Sequence, residues 1–267
     1  MIAAFAYAGQ VLEEPKYTKA AEQATQFLLT KLNAESGLLR RYRDGEAGIP
    51  AYLDDYAFLV HGLIELYQAT FDNRWLAEAL RLNEEMMKRY GDPEGEGFFF
   101  TQQGDDSLLT RTKDFYDSAH PSGNAMATLN LLRLYEFTGN EALKASALKL
   151  LGQISGALAQ APAAFAQSLI ALDFTLSSPM EIAVVGDRKD RATASLLRAV
   201  RKTFAPAKVV AWSQKGEEGN AARIPFLEGK IPIGGKPTVY ICQNYTCKKP
   251  LSDPKEIVEV LRSRGKN

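Results

Sequence analysis

The chain is poor in residues that crosslink, chelate or titrate near neutrality. Its 267 residues include two cysteines, Cys242 and Cys247, and two histidines, His61 and His120. So few cysteines exclude the disulfide framework of a small secreted domain. Their C-x4-C spacing is not C-x-x-C, and two thiols fall short of the four ligands of a closed zinc site. They read as reduced structural thiols, with a redox or metal role as the alternative. Charge of one sign is also missing, since Lys+Arg and Asp+Glu number 32 each. Nothing in that balance argues for nucleic acid or an anionic membrane. No apolar run approaches the roughly 20 residues that span a bilayer. The opening MIAAFAYAGQVLEEP lacks a basic leader and is too broken for a signal peptide. A soluble cytoplasmic protein without metal or cofactor is the expectation.

What is present is ordinary globular composition, 46% hydrophobic and 24% charged, enough for one large unit or for one domain plus a smaller one. Three segments align without gaps: 8–23 (AGQVLEEPKYTKAAEQ), 66–81 (LYQATFDNRWLAEALR) and 134–149 (LYEFTGNEALKASALK). Tyr17, Trp75 and Leu143 share a column, as do Ala21, Ala79 and Ala147, and Glu14, Asp72 and Asn140 share the turn. Each copy reads as a helix end, a turn and the start of the next helix. Asp72 or Asn73, and Asn140, are candidate caps, and Pro15 suits a first helical turn. The first helix of each pair is apolar all round (IAAFAYAGQVL, YAFLVHGLIELY, AMATLNLLRLY), so it predicts burial on every face. The second helices carry a charged side. A further apolar helix is predicted at 162–177.

Inner apolar helices alternating with outer amphipathic ones describe a mainly α fold, a partial (α/α)6 toroid over residues 1–178. Long links at 33–52 and 91–121 contain strand-like runs (LLRRY, GFFFT, LLTRTKDF), read as β-hairpins over one mouth of the ring. From 179 to 267 the pattern becomes a small α/β element. EIAVVG, KVVAW and TVYICQN are its strands, paired in parallel, and DPKEIVEVLRSR is its closing helix. The turn after EIAVVG has Gly186-Asp187-Arg188 but no G-x-G-x-x-G, so no nucleotide site is read there. Three hairpins and one extra helix are too few to close the ring, and Met1 leads at once into an inner-helix pattern. The expectation is a fragment of a longer protein, or self-association through an open apolar edge.

Three stretches, YLDDYAFLVHGLIELYQATFDNRWLAEAL (52–80), HPSGNAMATLNLLRLYEFTG (120–139) and GKPTVYICQNYTC (235–247), resemble the YyaL-type thioredoxin-domain-containing, spermatogenesis-associated-protein-like family. That family is similar to N-acylglucosamine 2-epimerase and other six-hairpin glycosidase-like toroids. The resemblance implies a thioredoxin-like domain followed by an (α/α)6 barrel with a small α/β element. The thioredoxin-like domain and the first half of the barrel have no counterpart here.

The candidate chemistry sits at the starts of two inner helices. Asp54, Asp55, Asp117 and His120 are the acid–base candidates. Tyr52, Tyr56, Tyr116, Arg41, Arg111, Ser122 and Asn124 are candidate contacts for a sugar or another polar small molecule. Arg40, Arg41, Arg43 and Arg111 suit carboxylate or phosphate, and the tyrosines with Phe98–Phe100 suit sugar faces. Several of these have a plainer reading: Asp54 as a helix cap, Asp55 as a first-turn acid, Ser122 and Asn124 as helix starters, His61 as a core or groove histidine, and Phe98–Phe100 as strand packing. The function expected is a carbohydrate-binding or carbohydrate-processing module. The alternatives are a non-catalytic scaffold for a thioredoxin-like domain or partner, and an inactive truncated product.

Overall fold

In the computed structural model, which describes residues 1–104, 109–214, 224–244 and 246–263, each of the three aligned segments forms the same helix–turn–helix. The turn column is the N-cap in every copy: Glu14, Asp72 and Asn140. Asp72 accepts from the Arg74 N–H at 3.0 Å and Asn140 from the Ala142 N–H at 3.1 Å. Glu14 makes no such bond; there Pro15 opens the helix. The residue before each cap, Glu13, Phe71 or Gly139, is left-handed, with φ of 59°, 54° and 68°. That conformation ends one helix and aims the chain into the next. The alanine column is sealed in every copy, with Ala21, Ala79 and Ala147 all at 0% exposure.

The described residues are mostly helical with two small sheets, and contacts divide the chain into two compact units. The first comprises Met1–Leu134 with Asn140–Leu172; the second comprises Tyr135–Gly139 with Asp173–Asn267. In the first unit, α1 (Ile2–Leu12) packs on α2 (Pro15–Lys31) and on α3 (Leu53–Thr70), and α3 packs on α4 (Asn73–Tyr90). Between α2 and α3 run β1 (Asn33–Ala34), β2 (Gly37–Arg43) and β3 (Glu46–Pro50), an antiparallel sheet in that order. The 33–52 link thus holds the β-hairpin read from its sequence.

The 91–121 link does not. Among its described residues there is no strand, only a single bridge from Gly91 to Phe98; Leu108, where one strand-like run began, lies outside the described residues. Scattered backbone bonds, such as the Phe100 N–H to the Thr112 carbonyl, and side chains satisfy its backbone in place of a ladder. Asn124 accepts from the Phe98 N–H and donates to the carbonyls of Phe98 and Asp114. Arg111 donates to the Thr101 carbonyl, and Lys113 to that of Glu96. After this link come α5 (Gly123–Thr138), α6 (Glu141–Gln160), a 3-10 turn (Pro162–Phe165) and α7 (Ala166–Leu176). The helix predicted over 162–177 is therefore a short turn followed by an α-helix.

The second unit carries β4 (Met180–Val185), α8 (Arg191–Lys202), β5 (Lys208–Ser213), β6 (Thr238–Gln243), β7 (Thr246–Cys247) and α9 (Pro254–Arg262). Arg264, at the end of the predicted closing helix, lies outside the described residues. The sheet order is β5-β4-β6-β7. Strands β4 and β5 pair in parallel, joined by α8, but β6 runs antiparallel to β4, which corrects the all-parallel expectation. A parallel return needs a crossover, usually a helix. The described part of the β5–β6 link has only a 3-10 turn, Pro225–Leu227. Strand β4 is central and apolar at nearly every position, as burial on both faces requires.

A second correction concerns the cysteines. Cys242 and Cys247 are joined in a disulfide across the β6–β7 pair rather than standing as thiols. They are directly opposite in register, with Cα atoms 3.9 Å apart. Spacing along the chain could not reveal this, because the pairing depends on where the hairpin turns.

Candidate active site

Helix α3 is buried at every position except Asp54, Asp55, Phe58, His61 and Glu65, which are half-buried. Those positions fall at i, i+1, i+4, i+7 and i+11, a single stripe along one helix. The first four line a cavity of about 620 Å³, together with Arg40 and Leu38 of the hairpin, Phe27 of α2, Ile2 of α1 and His120. Both histidines of the chain therefore sit on one cavity, with two carboxylates and a guanidinium. The remaining lining is mostly aliphatic and aromatic, the mixture typical of small-molecule sites.

Asp55 is largely committed. Its Oδ2 accepts the Tyr52 N–H at 2.9 Å and meets Arg40 Nη1 at 3.2 Å. The Arg40 guanidinium lies 4.9 Å from the centre of the Tyr52 ring, which stacks on Phe100 with centroids 4.7 Å apart. Tyr52 thus helps hold the arginine and is not itself among the lining residues.

Asp54 is different. Burial pushes its carboxyl above the ordinary carboxylate range, with Asp55 and Asp114 adding to the rise and His120 and Arg40 opposing it. Its Oδ1 packs against Gly123 at the start of α5, where an added Cβ would lie 2.3 Å away. Only glycine there leaves room for the carboxylate.

The two imidazoles present opposite faces of their chemistry. His120 Nδ1 is 2.9 Å from the Pro121 carbonyl, so that nitrogen carries the proton and Nε2 is the basic one. Its ring meets Phe58 edge-on at 6.2 Å. His61 Nδ1 is 3.3 Å from Arg133 Nη1, which makes Nδ1 the acceptor and Nε2 the protonated nitrogen. Burial first, then Arg133, pull the His61 pKa down from 6.5 to about 4. Arg133 is itself paired with Glu65 at 2.7 Å, the two being 8% and 14% exposed. His61 is thus a neutral imidazole at pH 7, next to a buried ion pair.

Other candidates lie elsewhere. Asp117 uses both oxygens on backbone, accepting from Ser122 N–H at 2.9 Å and Gln167 N–H at 2.7 Å. It ties the start of α5 to that of α7. Ser122 caps α5 through the Ala125 N–H, and Asn124 staples the preceding link. Tyr56 is 1% exposed; its hydroxyl accepts from Leu38 N–H and donates to Glu85 at 2.7 Å. Burial pushes that phenol up to about 12. Arg111 lies over the Phe99 ring at 4.1 Å while binding the Thr101 carbonyl. Tyr116 is 60% exposed and leans on Phe165. Arg41 is exposed, across from Gly48 on β3. None of these seven lines the cavity.

Of the lining side chains, His61, Phe58 and Phe27 are ones that the sequence reading did not select for the site. Two had a readable signal. His61 and Phe58 are seven and four residues after Asp54, hence on its helical face. Phe27 had none, since only tertiary packing brings α2 to this wall.

Human spermatogenesis-associated protein 20 is 31% identical over 273 residues, 98% of this chain, and the mouse protein of the same name is 32% identical over 274. The chain is homologous to spermatogenesis-associated protein 20. An uncharacterised protein of Caenorhabditis elegans is 28% identical over 261 residues, 94% of this chain. The chain spans 35% of the length of each of these curated relatives. No family model matches it. Among the described residues, no helix is long and apolar enough to cross a membrane, and no group of three or more His, Cys, Asp or Glu could hold a metal ion.

Proposed function

We propose that the α3 cavity binds a sugar or a sugar-like polar small molecule, within a helical unit that forms part of an α/α toroid. Asp54 and His120 are its acid–base pair. The observation that carries this reading is the shared wall: a half-buried carboxyl with a raised pKa, a basic imidazole nitrogen, a guanidinium and two phenylalanines around one cavity. A carboxyl raised by burial and an imidazole with one free ring nitrogen, on one wall, suit moving a proton on and off a substrate. Phe58 and Phe27 offer faces for the apolar side of a sugar ring, and Arg40 offers donors to its hydroxyls.

Isomerisation or epimerisation fits better than hydrolysis by two carboxylates. Hydrolysis asks a second carboxylate to act as base or nucleophile, and Asp55 already holds Arg40 and the Tyr52 N–H. Calorimetric titration with neutral aldoses, ketoses and N-acylated amino sugars tests the reading. Asp54→Asn and His120→Asn are expected to abolish binding or turnover while leaving the unfolding midpoint within a few degrees. If no sugar binds the unmodified protein, or both variants bind as it does, the reading fails.

A second reading has its own observation. Asp117, Asn124, Arg111 and Tyr56 direct polar atoms to backbone or to structural partners, as a scaffold would. The scaffold reading expects Asp54→Asn to change stability alone, without affecting any ligand.

A further inference from the structure

The disulfide of the second unit is asymmetric in three respects. Cys242, on β6, is 3% exposed, whereas Cys247 is exposed on β7, a two-residue strand at the sheet edge. An approaching thiol can therefore reach only one of the two sulfurs. The cation is one-sided too: Lys230 Nζ is 3.1 Å from Cys247 Sγ.

That lysine is held in place. Its backbone N–H donates to Leu227 at the end of the 3-10 turn, and its ammonium lies 5.0 Å from the centre of the Tyr240 ring. The Tyr240 hydroxyl in turn donates to the carbonyl of Ile231, the next residue, at 2.7 Å. Third, Glu181 on β4 is directly opposite Cys242 in register, which brings the two Cβ atoms to about 5 Å. Burial raises the Glu181 carboxyl, with Lys230 opposing.

The geometry points to a thiol–disulfide exchange site at the β6–β7 edge that takes small thiols of the glutathione class. Cys247 is the sulfur attacked, Cys242 is the leaving and resolving thiol, and Lys230 and Glu181 are positioning residues. In the first step the thiolate of the small thiol attacks Cys247 Sγ. A mixed disulfide forms there, the Cys242–Cys247 bond breaks, and Cys242 leaves as a thiolate. Glu181, half-buried, is opposite that cysteine in register. A second small thiolate then attacks the small-molecule sulfur of the mixed disulfide and releases Cys247 as a thiolate facing Lys230. The protein disulfide gains two electrons, and two small thiols become one disulfide. The reverse sequence oxidises the pair.

A cation beside a thiol lowers its pKa and raises the thiolate fraction, whereas an apolar setting does the opposite. Among the charged groups around Cys247 are Lys230, in contact with it, Glu181, which interacts with that lysine, and Lys248, the next residue in the chain.

The test uses the full chain, incubated with reduced glutathione at neutral pH, quenched in acid and mapped by peptide mass. The expected result is a glutathione adduct on Cys247, both thiols free at higher reductant, and the disulfide restored by oxidised glutathione. In a Cys242→Ser variant, ultraviolet titration of the Cys247 thiolate is expected to give a midpoint below the roughly 8.5 of an ordinary thiol. Adding Lys230→Gln should raise that midpoint, and Lys230→Arg should keep it low. Reduction only after denaturation, an adduct on Cys242, or a midpoint indifferent to Lys230→Gln would each overturn the assignment.

Discussion

Helix α1, IAAFAYAGQVL, and helix α3, LDDYAFLVHGLIELYQAT, are both apolar around most of their circumference. In α3, Leu63, Ile64 and Leu66 are at 0% exposure and only the cavity stripe is open. In α1, Ala6 alone is buried, while Tyr7 and Leu12 are 56% and 59% exposed. The first helix packs on α2 and α3, whereas α3 packs against α1, α2, α4 and the β2 strand. An all-round apolar helix states what it needs, and its neighbours decide whether the need is met.

The comparison can be broken first by truncation. Ile64→Ala or Leu63→Ala should lower the unfolding free energy by roughly 2–5 kcal/mol, because each leaves a cavity. Leu12→Ser in α1 should change it by less than about 0.5 kcal/mol, and by light scattering should reduce any self-association. Equal losses in urea unfolding at both sites would show that α1 is as well packed as α3.

The next test is pH, and it probes the one open stripe of α3. The folded-state pKa of His61 is lowered to about 4 from 6.5, so folding favours the neutral ring. Its contribution is present above pH 6.5 and is lost as pH falls toward 4, worth up to about 3 kcal/mol at the acid end. His61→Gln should flatten the stability profile across that window. A variant with the same acid loss as the parent would move the effect to other groups.

Smaller effects test the repeat that both helices belong to. Ala79→Leu should cost about 1–3 kcal/mol by overpacking a column that is sealed in every copy. Asp72→Ala should cost about 1 kcal/mol through its cap. Glu14→Asp should stabilise by some tenths of a kcal/mol, because that copy alone lacks a side-chain cap. All three can be read from thermal melts.

Much of the local architecture was legible. The aligned turns mark helix starts because a short polar side chain satisfies an orphan N–H, a requirement that acts over two residues. EIAVVG and KVVAW are strands because short apolar runs bounded by turn residues suit a doubly covered sheet. The link at 91–121 misled because its aromatic run resembles a strand, while isolated backbone bonds together with Asn124, Arg111 and Lys113 hold it without a ladder. In the candidate site, Asp54, Asp55 and His120 were legible as polar residues at helix entries. Asp117, chosen on the same ground, meets only backbone N–H groups with its carboxylate, because α7 folds back onto it.

By itself, then, the sequence determined where helices begin and end, which faces are apolar and which short runs become strands. These follow from forces that act between residues a few positions apart. Only the tertiary structure decided that α3 is covered and α1 is not, that His61 and His120 share a wall, and that Cys247 faces Lys230. Those outcomes join residues 59 and 17 positions apart, and over such separations no local pattern fixes which groups meet; packing does.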